Sequence, residues 1–320
     1  VSIPVSFFLR EGNTPATLVV ILALIAYIGY VGYTIWAGMR VRRAVAWTAK
    51  GVELLNLNRY EDVLTNEEAL ANFEKALTLN PQSMRAWFGK GIALVRLGNF
   101  TESIEICDRV LASYPHDALV LTVKGRALLR LQRFNEALAV LESALRIDAE
   151  NAESLDLIII TLIRLRRYDE ALDNVTYALT VFPADPYFWH NRASLLSDDL
   201  KRYDEALAVC DAAISRGVTL PNMWAIKGDA LRALRQETEA IAAYMHVLTL
   251  SCSDFYDWTA RGRALMGLRR YDEALAAYDK ALAIQSISVR TWRKKAEVLR
   301  ALGREAEAQE AEQRAEALER

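Results

Sequence analysis

Residues 258–276 read WTARGRALMGLRRYDEALA, and the fold follows from this stretch and its copies. Trp258 and Gly262 are four residues apart, about one helical turn. The phrase RYDEALA that begins at Arg270 recurs at Arg202 and, as RYDEALD, at Arg167. Within each half of the stretch the apolar residues fall at spacings of three, four and seven, the helical period. No two-residue alternation of the kind a strand requires occurs along the chain. Working outward, tryptophan or leucine recurs at Trp47, Trp87, Leu121, Leu155, Trp189, Trp224, Trp258 and Trp292, at intervals of 40, 34, 34, 34, 35, 34 and 34 residues. Four residues after each come Gly51, Gly91, Gly125, Ile159, Ala193, Gly228, Gly262 and Ala296, mostly the smallest side chains. A further alanine-like position runs through Ala69, Ser103, Ala137, Ala171, Ala206, Ala240, Ala274 and Ala308.

A period of this length marks an array in which each unit is a pair of antiparallel helices, helix A and helix B, that buries its apolar face only against its neighbours. Small residues are needed where the two helices cross, since the interior is close-packed. The large aromatic fills the wider gap beside the crossing. Pro81, Pro115 and Pro183 share one register position, where a helix has to end.

These residues resemble the tetratricopeptide repeat family: a tryptophan with a small residue four further on, then two alanines and a proline at the family's offsets in 34 residues. The resemblance covers about Ala44 to Arg320 in eight units starting near residues 44, 84, 118, 152, 186, 221, 255 and 289. It implies an all-α, right-handed α-solenoid that binds a peptide or helix of a partner on the concave surface lined by helix A. Three departures are local. Repeat one carries about six extra residues around Glu61–Asn66, expected in a lengthened turn between its helices. Repeat five carries one extra residue near Asp198–Asp199. In repeat four Ile159 stands where a small residue is usual. Glu305–Arg320 reads as a polar helix capping the array.

Ahead of the repeats lies a different kind of segment. No charged residue occurs from Thr14 to Met39, and the apolar stretch 16–37 is about 33 Å long as a helix, enough for a bilayer core of about 30 Å. Tyr30, Tyr33 and Trp36 gather at its C-terminal end as an interfacial belt would. The expected organisation is a tail over residues 1–13, a transmembrane helix over 14–39 and the solenoid over 40–320. Arg40, Arg42, Arg43 and Lys50 follow the span while only Arg10, beside Glu11, precedes it, which predicts a single-pass protein with its repeats in the cytoplasm. Ala26, Gly29 and Gly32 form a small-residue stripe that would permit weak homodimerisation through the span. Met39–Thr48 holds no proline, so one helix is expected to run from the bilayer into repeat one.

The residues that carry chemistry are scattered. His116, His190 and His246 fall in different repeats with no acid or thiol at ligand spacing, and no metal or cofactor motif occurs. Cys107, Cys210 and Cys252 are far apart and odd in number, which does not suit a disulfide framework. The formal net charge of −2 gives no bulk attraction to nucleic acid. The acidic pairs recur with the repeat at the start of helix B, where carboxylates favour a helix N-terminus. The reading is therefore no enzyme, no cofactor and no nucleic acid.

A partner is expected on helix A. The groove positions of repeats two to four are Phe88, Ile92, Val95, Arg96, Arg126, Arg130, Ile160, Ile163 and Arg164, with Leu119 and Leu129 beside them. Arg96, Arg130 and Arg164 recur at 34-residue intervals next to an apolar strip, which suits a ligand with carboxylates and hydrophobic anchors. The clamp of two lysines and two asparagines found in chaperone-binding members of the family is replaced here by Thr48, Val52, Phe88 and Ile92. The leading expectation is a membrane-anchored protein-binding scaffold; the alternative is an assembly component on the outer side of the membrane.

Overall fold

The structure, a computed structural model, describes residues 15–56 and 63–319; the N-terminal tail, Glu61 and Arg320 lie outside them. Among the described residues there are sixteen helices and no strand. The chain divides at Ile147 into two compact units. Unit 1 holds α1 (Pro15–Asn56), α2 (Val63–Leu79), α3 (Met84–Arg96), α4 (Phe100–Ser113), α5 (Ala118–Arg130) and α6 (Phe134–Ile147). Unit 2 begins with α7 (Ala152–Arg164), α8 (Tyr168–Val181), α9 (Pro186–Ser194), a π-helical turn over Leu195–Asp199, and α10 (Tyr203–Ser215). It continues through α11 (Pro221–Ala233), α12 (Glu237–Thr249), α13 (Phe255–Gly267), α14 (Tyr271–Ile284), α15 (Val289–Ala301) and α16 (Glu305–Glu319). Odd-numbered helices are helix A of a pair and even-numbered ones helix B.

Helix A and helix B start by different means. Ser83, Asp117, Asn151, Asp185, Asp254 and Ser288 each cap a helix A, the side chain accepting from a backbone N–H two or three residues on. Helix B starts from a tight reversal instead. Gln132 (φ 59°) donates to the carbonyl of Leu129 and Arg133 to that of Leu128, which satisfies the last turn of α5 before α6 begins. Arg166–Arg167, Arg235–Gln236 and Arg269–Arg270 repeat these bonds. The acidic residues at the start of helix B were expected to serve the helix end. They lie in its first turn, and the glutamate also pairs with the arginine that opens the helix, as in Arg133 Nε to Glu136 Oε1 at 2.7 Å and Arg270 Nε to Glu273 Oε1 at 2.7 Å.

Most of the recurring glycines receive a large side chain of the facing helix B. A Cβ added to Gly262 would lie 2.8 Å from Tyr278, and one on Gly51 2.8 Å from Phe73, so neither position admits even alanine without a shift. Gly125 is filled in the same way by Leu141. At Gly91 the facing residue is Cys107, and an added Cβ would sit at ordinary contact distance, 3.8 Å from its sulfur. Ile159 obeys the same rule, since the corresponding helix-B residue sixteen positions on is the smaller Val175; both are wholly buried. The recurring tryptophans also fix the turn before helix A: the indole N–H of Trp87 donates to Pro81 O (2.8 Å), of Trp189 to Pro183 O (2.9 Å), of Trp292 to Ser286 O (2.8 Å).

α1 runs without a break from the apolar segment into repeat one. Among its described side chains Ala44 is the first buried one, at 1% exposure, and those from Leu22 to Met39 are exposed apart from half-buried Val31 and Ala37. Among the described residues α1 is the one helix long and apolar enough to cross a membrane. Arg40 sits at the boundary; its guanidinium lies 4.8 Å from the Trp36 ring centroid and donates to Thr78 O at the end of α2. Of the stretch expected as a lengthened turn, Val63–Asn66 instead forms the first turn of α2, because Asn66, Ala69, Phe73 and Ala76 are buried at helical spacing.

Candidate partner-binding faces

Helix A of repeats two to four and six to eight carries its second, fifth, ninth and thirteenth residues on one side, and the expected groove residues occupy these positions or their neighbours. In unit 1, Phe88 and Ile92 on α3 are half-buried and pack onto a cluster that contains buried Val95, Val120 and Val123. Arg96 turns back into the unit, where Nη1 donates to Leu55 O at 2.8 Å near the C-terminus of α1. Arg126 on α5 is half-buried; Arg130 is exposed, its guanidinium 5.6 Å from the Phe100 ring centroid. Leu119, at the start of α5, is 57% exposed. In unit 2, Ile160 and Ile163 on α7 are half-buried and Arg164 is exposed. The three arginines thus share a helical position and differ in their surroundings.

In the next repeat that position holds Asp198, and here the one extra residue of repeat five is found. It is absorbed as the π-helical turn, with Leu200 N donating to Leu195 O and Arg202 N to Leu196 O, six residues back, where Arg167 reaches only five back to Leu162. The widened turn carries Ser194, Asp198 and Asp199 to a charge network that sequence reading did not find. Arg263 on α13 donates from Nε to Asp229 on α11, and its two terminal nitrogens grip Asp198, Nη2 to Oδ1 at 2.5 Å and Nη1 to Oδ2 at 3.2 Å. Arg290 on α15 adds Nη1 to Ser194 Oγ at 3.0 Å and Nη2 to Asp198 Oδ2 at 3.0 Å, with Asp199 Oδ2 at 3.9 Å. Ser194 donates to Asp198 Oδ2 at 3.1 Å, and the Tyr244 hydroxyl donates to Asp229. These bonds join residues 34, 65 and 96 positions apart in sequence, so side chains tie the helix-A face of unit 2 across as many as three repeats.

The network sets the ionisation of its members. Burial opposes the charge of Asp198, but Arg263 and Arg290 overcome it and hold the carboxyl well below its usual range. Burial likewise opposes the charge of Arg263, and Asp229 and Asp198 reverse that, pinning it as a cation. Asp199, with Arg290 at the edge of ion-pair range, is pushed up by burial. Burial, then the nearby Arg290 and Arg263, lower His190 to about 4, so the imidazole is neutral at pH 7. Its Nδ1 is buried with no hydrogen-bond partner. Further along the same face Asn191 Nδ2 reaches Asp156 Oδ1 at 3.3 Å, and the hydroxyls of Tyr187 and Tyr256 share a hydrogen bond.

Ser194, His190 and Asp198 lie four residues apart on one helix face but make no proton relay. The serine hydroxyl donates to the aspartate and no hydrogen bond links His190 to either. Among the described residues no group of His, Cys, Asp and Glu is placed to hold a metal. Cys107 and Cys210 are buried thiols, each pushed up to about 12 by burial, which keeps them unreactive. What the face offers is recognition by fixed charges, hydroxyls and aromatic rims.

Comparison with known proteins agrees with this architecture. The family model for the N-terminal tetratricopeptide repeat region of Psidin matches residues 57–197, and tetratricopeptide repeat models match 221–251 and 255–286. An uncharacterized protein of Methanocaldococcus jannaschii is 41% identical over 76 residues, 24% of this chain and 81% of that protein. A tetratricopeptide repeat protein from Parabacteroides merdae superposes with a TM-score of 0.62 at 16% identity, over 81% of this chain and 99% of that one. PilF of Pseudomonas aeruginosa does so with a TM-score of 0.54 at 18% identity, over 66% and 92%. The chain belongs to the tetratricopeptide repeat family, an all-helical protein-interaction scaffold.

Proposed function

We propose that this protein is a non-catalytic scaffold held in a bilayer by α1, which binds a segment of a partner protein on its helix-A faces. The observation that carries the proposal is the surface of α1. Leu22, Ile25, Tyr27, Ile28, Tyr30 and Tyr33 stand on all sides of the helix and are each more than half exposed. Monomeric soluble proteins rarely leave so large an apolar surface bare, and a lipid environment covers all sides at once. A buried core helix would show one packed face, and among the described side chains this segment has none before Ala44.

The basic residues after the span favour repeats on the cytoplasmic side, and the stripe of Ala26, Gly29 and Gly32 would let two spans approach as a weak homodimer. In unit 1 the partner-facing residues are Phe88, Ile92, Arg126 and Arg130, with Val95 and Arg96 holding that face in place. In unit 2 they begin with Ile160, Ile163 and Arg164. This chemistry fits a segment with hydrophobic anchors and carboxylates.

The test combines extraction with labelling in intact cells. Resistance to alkaline carbonate shows an integral span; release into the supernatant overturns the anchor. A cysteine introduced at the C-terminal tail that reacts with a membrane-impermeant reagent only after lysis supports the cytoplasmic scaffold. Labelling before lysis overturns that orientation and favours an assembly role on the outer side.

A further inference from the structure

Arg290 occupies a seat made for a guanidinium. Ser194 and the carboxylates of Asp198 and Asp199 converge on it, two of them within 3.0 Å of separate terminal nitrogens. A forked, planar cation satisfies such an arrangement better than an ammonium. The seat lies at the π-helical turn. At the thirteenth position of helix A, every other repeat from two to eight has Arg96, Arg130, Arg164, Ala233, Gly267 or Ala301, so none offers a carboxylate there.

The two arginines of the network are held differently. Arg263 is 18% exposed and lies between Asp198 and Asp229, which makes it part of the wall. Arg290 comes from the last helix pair, 96 residues from Ser194, and its side chain is 54% exposed. It can swing into water while Asp198 keeps both contacts from Arg263. Asp199 is incompletely matched by it at 3.9 Å, and the buried Nδ1 of His190 stands without a partner beside the two arginines. On the same face Asp156, with Tyr187 and Tyr256, adds a second acidic spot with an aromatic rim.

We propose that the helix-A face of unit 2 binds an arginine-bearing basic segment of a partner protein, and that Arg290 fills the Ser194–Asp198–Asp199 seat until such a segment displaces it. Exchanging one guanidinium for another leaves the charge balance of the seat unchanged, so the resident arginine lowers affinity in proportion to the time it spends in place. This goes beyond the scaffold reading, and it reverses the ligand charge expected for repeats two to four.

The test uses the full chain in uncharged detergent micelles and the anisotropy of a fluorescein-labelled hexa-arginine peptide, with hexa-lysine and hexa-glutamate for comparison. Arg290→Ala should bind hexa-arginine at least about ten-fold tighter than wild type, with a smaller gain for hexa-lysine and none for hexa-glutamate. Arg293→Ala removes the same charge from the same helix and should give no gain. Adding Asp199→Asn to Arg290→Ala restores the wild-type net charge and should cancel most of the gain. Equal affinity of wild type and Arg290→Ala for hexa-arginine overturns the proposal. So does an equal gain from Arg293→Ala, which is bulk charge, or a gain for hexa-glutamate, which would make Arg263 the reader. Arg290→Lys keeps the charge and loses the fork. Its affinity should fall between wild type and the alanine variant, and if the alanine variant melts early, equal affinity of Arg290→Lys and wild type overturns the proposal in its place. None of these readouts depends on the membrane, so failure of the anchor and failure of the seat are separate results.

Discussion

Unit 1 and unit 2 are built from the same repeat and spend their helix-A positions differently. In unit 1 those positions are apolar residues that sink into the core, such as Val95, and arginines that reach no farther than the adjacent repeat, such as Arg96 on Leu55 O. In unit 2, from α9 onward, they include acids, a hydroxyl and arginines that reach one another over 34, 65 and 96 residues. Each helix pair of unit 1 is closed by packing within and next to it. Unit 2 adds charge pairs that skip repeats. The lesson is that the repeat period fixes how neighbours stack, whereas the residues facing away from the crossing decide how far a face draws together.

The largest effect that would break this contrast is loss of a buried charge. Arg263→Ala strands Asp198 and Asp229 and should cost about 3–5 kcal/mol, seen in hydrogen exchange as deprotection of α9 to α13 with α3 to α5 unchanged. Equal deprotection of both units would show that they unfold as one and end the distinction.

Next come the glycine crossings, where the units should behave alike wherever the facing residue is alike. Gly262→Ala meets Tyr278 and should cost about 1–3 kcal/mol. Gly91→Ala faces Cys107 at ordinary distance and should be neutral or stabilising by up to about 1 kcal/mol, through its better helix propensity. Thermal melts of the two variants give the comparison. A destabilised Gly91→Ala would mean that the small residue is required by the backbone and not by its neighbour.

A smaller effect concerns pH and belongs to unit 2 alone. His190 is lowered in the folded chain to about 4 from 6.5, so the unfolded chain binds the extra proton between those values. Stability is therefore present above pH 6.5 and is lost as pH falls toward 4, by at most about 3 kcal/mol. The groups facing the imidazole are Arg290 of α15, Arg263 of α13 and Asp198 of the π-helical turn. His190→Gln should flatten that slope in melts between pH 4 and 7; an unchanged slope would mean that another group carries it.

The smallest is at the turns. Gln132 holds a left-handed backbone conformation, so Gln132→Gly should stabilise α5–α6 by up to about 1 kcal/mol in a denaturant titration.

Most of the architecture was legible in the sequence because it repeats. Trp47 to Trp292 and the small residues four positions on mark each crossing, and the structure explains even Ile159, through its smaller partner position Val175. The apolar length of 16–37 and the continuity of α1 were likewise readable. The extra residue of repeat five was readable only as a count. Whether it became a loop or a π-helical turn depends on hydrogen bonds to Leu195 and Leu196 that a spacing does not show. The charge network was hidden for a related reason. Asp229 and Arg263 share one register position, but Asp198 and Arg290 occupy two others, so no single period links the four. The tryptophans were read as filler for a gap, yet their N–H groups also hold the turn carbonyls; a polar tip on an aromatic was the signal for this.

The unbroken helix α1 has a mechanical consequence. A shaft that is membrane span at one end and helix A of repeat one at the other transmits rotation as well as position. In the anchored reading, inserting one residue at Gly38, below the Arg40 contact, would turn unit 1 by about 100° and raise it by about 1.5 Å. No contact inside the repeats would change, yet the bearing of their faces around the shaft would. Stability would stay level while productive capture of a membrane-bound partner rose and fell with a period of about 3.6 inserted residues, as the blade of a weathervane tracks its spindle.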